Sequence, residues 1–528
     1  NSTTTRGPPL IFSHCNKRTT VTISASINPS MVTNIIGDLH ALKEIKFGAN
    51  SEFVIDAPFV FNKDGKTIVY SYADNSKEFI LPAGVENTGN KLFAYRDFET
   101  LYLPDTLKTI GQEAFKACVN LKNIIFYQTK ATTIGEGEDA MTVYSAVLDE
   151  NGKPKAVQSP DEIKLTTIGP YAFMECHALP SFEFYPSIKT VAECAFANCS
   201  SFTSVTIPST VNLGMTFAVF STCKSLTTVT INNSTVAAGM FADCTALTSV
   251  TLSESVSSIG GGAFGNCVNL KSITLPEKLS FIEDSAFSNT GITTIDIPVT
   301  VKTIGGNAFE GCAALTTVNI PENTVLSNLG SSAFKDCVSL ENIKIDHAKS
   351  LTRIGVQAFE NTALTSFVFG DHQLNIGRTM FRYCTKLQSV SLPSQLVTTN
   401  EAWFDGCTSL TKITYNGYTG DKNFALPNTV KNLSFYLFRG TKIDYADISW
   451  ISGNNNLRAY IFENCTELKE VVLCPDLTYI PYAMFSGCSS LTEITIPDGV
   501  TSIDMYAFAN TGLTKVTIPS RVNIIKAY

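Results

Sequence analysis

Ala263-Phe264-Gly265-Asn266-Cys267-Val268-Asn269-Leu270-Lys271-Ser272-Ile273-Thr274-Leu275-Pro276 is followed by Leu279, Ile282 and a second Ala286-Phe287. The Ile273-Thr274-Leu275 step alternates with the period of a strand. Pro276 ends that strand, because proline has no N–H to give to a continuing ladder. The phenylalanine recurs at Phe93, Phe115, Phe173, Phe196, Phe220, Phe241, Phe264, Phe287, Phe309, Phe334, Phe359, Phe381, Phe404, Phe438, Phe462, Phe485 and Phe508. Most spacings are 21 to 25 residues and 23 is the commonest; the exceptions are 58 from Phe115 to Phe173 and 34 from Phe404 to Phe438. The unit reads Leu-x-x-Ile-x-Ile-Pro, then Val-x-x-Ile-Gly, then Ala-Phe-x-x-Cys. Glycine in the Ile-Gly step (Gly111, Gly169, Gly260, Gly305, Gly330, Gly355) is expected to serve a tight turn. Ala-Phe is expected on a short helical or 3-10 turn.

Units this short cannot bury an apolar face alone, but stacked on neighbours they form a continuous core. The expectation is a strand-rich solenoid. It has one curved parallel sheet of short strands, with helical or 3-10 turns on the other side. Residues 1–50, with the Val21-Thr22-Ile23-Ser24 alternation, are expected to cap the open N-terminal edge. Residues 51–528 form the array, with insertions near 127–162 and 416–427.

Composition narrows the function. The 528 residues are 44% hydrophobic and 16% charged, too apolar for a disordered chain. Lys plus Arg is 39 and Asp plus Glu is 47, a net charge of −8, and no basic block offers a nucleic-acid surface. No apolar run is long enough to span a membrane. The N-terminus lacks the basic and then apolar pattern of a secretory signal. The sequence stops part way through a unit, as a piece of a longer chain would.

Twelve of the fifteen cysteines fall three residues after the repeat phenylalanine, and Thr290, Thr362, Thr441 and Thr511 take that place elsewhere. A position that accepts threonine depends on neither a disulfide nor a metal-bound thiolate. A small group satisfying a turn's backbone is expected there, as a buried free thiol or a hydroxyl. In stacked coils the Cβ vectors run parallel, which disfavours bridging.

No catalytic or cofactor motif emerges. The five histidines are dispersed, and no His-x3-His pair or Gly-x-Ser-x-Gly elbow is present. Gly260-Gly261-Gly262 belongs to the repeat rather than to a phosphate loop. Asp149-Glu150-Asn151-Gly152 lacks calcium-loop spacing and reads as a hairpin turn. No metal and no cofactor are assigned.

The polar positions of Leu-x-x-Ile-x-Ile point outward. They form a hydroxyl ladder (Ser204/Thr206, Thr228/Thr230, Ser249/Thr251) that becomes more charged toward the C-terminus. That pattern suits a merely solvated strand face. The functional alternative is an extended protein-binding surface. Both insertions enter after the strand, so both are expected to emerge at one edge, as binding elements or as tolerated decoration. The candidate partner-contacting residues are Thr294, Asp296, Lys344, Lys412 and Glu493 on the sheet, and Tyr144, Asp149, Asn151 and Tyr418 in the insertions.

The units resemble the BspA-type leucine-rich repeat. Leu491-Thr492-Glu493-Ile494-Thr495-Ile496-Pro497-Asp498-Gly499-Val500-Thr501-Ser502-Ile503-Asp504-Met505-Tyr506-Ala507-Phe508 departs from its pattern only at Asp504, where glycine is usual. Asn62-Lys63-Asp64-Gly65-Lys66-Thr67-Ile68-Val69-Tyr70 resembles a hairpin often found in that family. The resemblance implies an α/β-type leucine-rich-repeat solenoid that is not an enzyme. It implies a secreted or surface protein of a microbe that adheres to host or matrix proteins or to other cells. An intracellular, cytoplasmic scaffold of the same fold is the alternative.

Overall fold

The computed structural model describes residues 20–23, 44–48, 53–56, 58–71, 76–135, 140–213, 216–451 and 456–526. Most of the expected capping segment, Cys15 and the tip of the first insertion lie outside them. The chain divides into two compact units, residues 1–253 and 254–528. Both are strand-rich parallel β-solenoids.

The Ile-x-Ile steps form parallel ladders in which equivalent positions of successive units face each other. In the first unit Ser204–Ile207, Thr228–Ile231 and Ser249–Leu252 align Val205 with Val229 and Val250. In the second, Thr294–Asp296, Thr317–Asn319 and Asn342–Ile343 repeat that register. The following proline ends the strand and starts a turn. The Pro276 carbonyl accepts from the Leu279 N–H at 3.0 Å, and that of Pro298 from Val301 at 3.1 Å.

A second parallel ladder runs through the Val-x-x-Ile-Gly step, so the expectation of one sheet needs correcting. In the second unit, two-residue strands from Ser258–Ile259 to Asn375–Ile376 stack six coils deep. At several coils the repeat glycine serves this ladder, and not through a turn. Gly330 has no positive φ, yet a Cβ there would lie 2.3 Å from the Gly305 carbonyl carbon; at Gly355 it would lie 2.3 Å from the Ser331 nitrogen. Hydrogen as the side chain is what permits this close approach of one coil to the next.

The turn edge also differs from expectation. Among the described residues the one helical element is a 3-10 turn at Pro160–Glu162, outside the repeat pattern. The Ala-Phe segments are instead chains of tight turns. Ala263, Gly265 and Cys267 donate to Gly260, Gly262 and Phe264, three residues back. Residues two before and two after each phenylalanine are left-handed, as at Ser285 (φ 58°) and Asn289 (φ 55°). A left-handed residue every fourth position stops a helix from propagating. The N–H groups of Gly262, Phe264 and Asn266 then reach the next coil, bonding Asp284, Ala286 and Ser288 at 2.8–2.9 Å.

The core is a stack of phenylalanines. From Phe93 to Phe241 and from Phe264 to Phe508, successive ring centroids lie 5.3–6.0 Å apart with planes within 17°. Offset stacking of this kind adds about 0.5–1.5 kcal/mol per pair beyond burial. Beside it, ladder thiols donate to the phenylalanine carbonyl of the preceding coil, for example Cys199 to Phe173 and Cys337 to Phe309, both at 3.1 Å.

The N-terminal side carries the antiparallel hairpin Phe53–Asp56, Phe59–Asn62 and Thr67–Ser71. Gly65 turns it with φ 69°. Upstream, Thr20–Ile23 pairs in parallel with Glu44–Phe47 at an offset of 44 − 20 = 24 residues, a spacing the repeats also use.

Candidate protein-interaction surfaces

The outward sheet positions are where the alternation puts them. Thr294, Asp296, Lys344, Lys412 and Glu493 are exposed, while Ile295, Ile343 and Ile413 between them are buried. Thr294 faces Thr317, and Asn319 donates to the Asp296 carboxylate at 2.6 Å. Lys412 stands opposite Ser389 in another three-stranded sheet of the same unit. Glu493 lies on a pass outside any assigned strand. Hydroxyls at the strand entrances also tie coils together: Thr227 donates to Thr203 O at 3.0 Å and Thr316 to Thr293 O at 3.1 Å.

The first insertion forms two hairpins. Asp149 to Gly152 makes the expected turn, with Asp149 N–H bonded to Lys153 O at 2.8 Å and Gly152 at φ 74°. Asp149 and Asn151 are exposed, and the Asp149 carboxylate accepts from both Asn151 and Lys153 N–H at 2.9 Å. A longer ribbon pairs Thr129–Ile134 with Met141–Ala146. Tyr144 on this ribbon lies against Gly84, where a Cβ would meet its ring at 2.9 Å. Lys153 bonds Glu78 at 2.7 Å, so the insertion folds back onto earlier coils.

The second insertion turns inward. Phe424 is buried, bridges Ile413 in parallel and meets the Phe438 ring edge-on at 5.4 Å. Tyr418 is half-buried, 5.4 Å from Tyr415. Residues 419–423 are exposed, and Phe424-Ala425-Leu426-Pro427 then supplies another strand-like pass with its own terminating proline.

Ion pairs bridge coils of the first unit. Glu86 sits between Lys66 (3.0 Å) and Lys108 (2.7 Å), and Glu99 between Lys122 (2.8 Å) and Lys77 (2.9 Å). The hydrogen bonds from Lys122 and Lys77 hold the Glu99 carboxyl down to about 2.

On the turn edge of the second unit lies a band that the strand-centred reading missed. Tyr436 stacks on Tyr460 at 4.6 Å; Tyr460 meets Tyr482 at 5.1 Å and Tyr482 meets Tyr506 at 5.6 Å. The Arg439 guanidinium covers Tyr436, and that of Arg382 covers Tyr383, each at 4.5 Å. Both arginines converge on buried Asp405, Arg439 at 2.6 and 2.8 Å and Arg382 at 3.2 Å. Glu463 lies 3.7 Å from Arg439, and burial pushes its carboxyl up. The sequence signal was there: tyrosine stands two residues before the repeat phenylalanine at Tyr436, Tyr460 and Tyr506, and three before it at Tyr482. Among the described residues no group of three His, Cys, Asp or Glu is placed to hold a metal ion. No helix there is long and apolar enough to cross a membrane.

The description "BspA type Leucine rich repeat region" matches residues 65–138, 150–239, 234–350, 323–421 and 415–528. No curated protein matches the chain. Among solved structures, a leucine-rich repeat protein from Bacteroides ovatus is 22% identical, covering 75% of this chain and 88% of its own, with a TM-score of 0.42. A leucine-rich cell surface protein from Faecalibacterium prausnitzii is 21% identical over 90% of this chain and 94% of its own, with a TM-score of 0.28. The pneumococcal vaccine antigen PcpA is 16% identical over 80% and 98%, with a TM-score of 0.38.

Proposed function

The chain belongs to the BspA-type leucine-rich repeat family, and from that premise we propose that it is a non-enzymatic adhesive solenoid. It acts at a microbial cell surface or after secretion, and holds protein partners on host cells, in matrix or on other microbes. The observation that carries this reading is the tyrosine–arginine band of the second unit. Tyrosine and arginine are the residue types that concentrate binding energy at protein interfaces. Here Asp405 fixes Arg382 and Arg439 over their rings, so little side-chain freedom is lost on contact. The outward sheet residues and the first insertion are secondary contact elements in this reading.

The test is binding of the chain to host cells and to immobilised matrix proteins. Tyr436→Ala/Tyr460→Ala and a deletion of residues 128–160 are assayed beside it. Saturable binding that weakens at least about tenfold in the tyrosine variant is expected, the loss of roughly one hot-spot contact. Binding lost only on the deletion would move the site to the insertion. No binding at micromolar concentration would end the adhesive reading.

A further inference from the structure

In residues 254–528 the paired two-residue strands of the second ladder stop at Asn375–Ile376 and resume at Tyr479–Ile480, with an isolated bridge from Leu433 to Leu457 between them. Ile376-Gly377-Arg378-Thr379-Met380-Phe381 follows the repeat, but the next coil reads Thr399-Asn400-Glu401-Ala402-Trp403-Phe404. Earlier coils pass a backbone hydrogen bond along the ladder, as Gly377 N–H does to Ile354 O at 2.8 Å. Here the Asn400 side chain reaches Ile376 O at 2.6 Å, and the Trp403 indole N–H reaches Gly377 O at 2.7 Å. The segment 397–400 bonds onward instead: Lys431 N–H donates to Val397 O at 2.8 Å and Ser434 N–H to Thr399 Oγ1 at 3.1 Å. Loss of the glycine does not by itself open the ladder, since Glu283 and Asp504 stand at that position and keep their bonds to Ile259 O and Ile480 O at 3.0 Å. What sets this coil apart is Trp403, buried where alanine usually precedes the phenylalanine.

The result is a slot of about 480 Å³, within the range of small-ligand sites. A volume of this size suits a compact occupant. Four amide residues line the slot, Gln373, Asn375, Gln395 and Asn400, together with His372, whose ring bonds Leu351 O at 2.6 Å; Val397 is among its apolar walls and no Asp, Glu, Lys or Arg is in the lining. Each amide both donates and accepts, which matches groups that do the same. A charged ligand would meet no carboxylate, ammonium or guanidinium group in the lining. We propose that this slot binds a neutral mono- or disaccharide, a specificity independent of the protein contacts proposed above.

Saturation-transfer NMR of the full chain with galactose, N-acetylglucosamine, lactose and cellobiose tests it. Gln373→Ala/Gln395→Ala and Val397→Arg are run in parallel; all three positions are exposed, so either variant alone can carry the result. At least one sugar is expected to bind saturably, with affinity falling about tenfold or more in both variants. If none binds at about 10 mM, a free energy of only about −3 kcal/mol, the proposal fails. Binding that persists in Val397→Arg puts the site elsewhere. Binding of 3′-sialyllactose with no neutral sugar overturns the ligand class.

Discussion

Cys337 and Thr362 occupy equivalent places in neighbouring units and satisfy different carbonyls. The Cys337 thiol reaches across to Phe309 O of the preceding coil at 3.1 Å. The Thr362 hydroxyl bonds Phe359 O of its own coil at 3.0 Å, and that carbonyl also receives Cys384 at 3.0 Å. The shorter C–O bond keeps the hydroxyl close to its own turn, while the longer C–S bond spans the gap. Cys337→Thr is therefore expected to cost under about 1 kcal/mol, with the new hydroxyl turning to Phe334 O, a cost on the scale of one exchanged hydrogen bond. Phe334→Ala is a different matter, because that ring is fully buried between Phe309 at 5.3 Å and Phe359 at 5.7 Å. Its removal should cost about 3–5 kcal/mol. Urea titrations of the two variants check both numbers, and a phenylalanine cost below about 1 kcal/mol would mean the stack is not the core.

The elements divide into those the one-letter pattern reveals and those it hides. Alternation identified the Ile-x-Ile strands, their outward positions and the Asp64-Gly65 hairpin, because burial and turn chemistry act locally and leave a periodic trace. The second ladder was hidden, because two-residue strands have no period to read. The glycine that follows them looks identical whether it serves a turn or a close approach. The turn edge was misread as helical for a related reason: left-handed residues at Ala402 (φ 53°), Gln357 (φ 60°) and Tyr436 (φ 58°) are not the types that announce such a conformation. The tyrosine band went unread because its members lie off the strands. These two uses of glycine can be separated by experiment. Gly330→Ala puts a methyl 2.3 Å from backbone that cannot yield, and should cost about 1–3 kcal/mol, as overpacking does. Gly262→Ala meets nothing within 4 Å, and its left-handed φ of 63° is one that Ala402 already adopts in the equivalent place. It should cost no more than about 1–2 kcal/mol, the left-handed penalty for one residue. A larger effect at Gly262 than at Gly330, by thermal melts, would invert this assignment.

Across the whole molecule the cysteine ladders couple folding to alkaline pH. A thiol in an unfolded chain ionises near pH 8.5. Burial in the coils pushes Cys384 up to about 11, and Cys118, Cys223 and Cys465 up to about 12. The folded chain thus keeps protons that the unfolded chain releases. The stability tied to these groups is complete below about pH 8.5. It is lost as pH rises toward 11–12. Each thiol withdraws about 1.4 kcal/mol per pH unit in that window. Two of the four lie in residues 1–253 and two in residues 254–528, so each unit faces a slope of at least about 3 kcal/mol per pH unit from these groups alone. That is large against a total stability of about 5–15 kcal/mol. Urea midpoints measured at pH 8, 9 and 10 should fall steeply. Replacing all four cysteines by threonine should flatten the fall by about two protons per unit, while lysines and tyrosines, which titrate alike in both chains, cancel from the comparison. An unchanged slope in the threonine variant would mean that the ladder thiols ionise in the folded coils as readily as in the unfolded chain, and that burial is not what holds their protons.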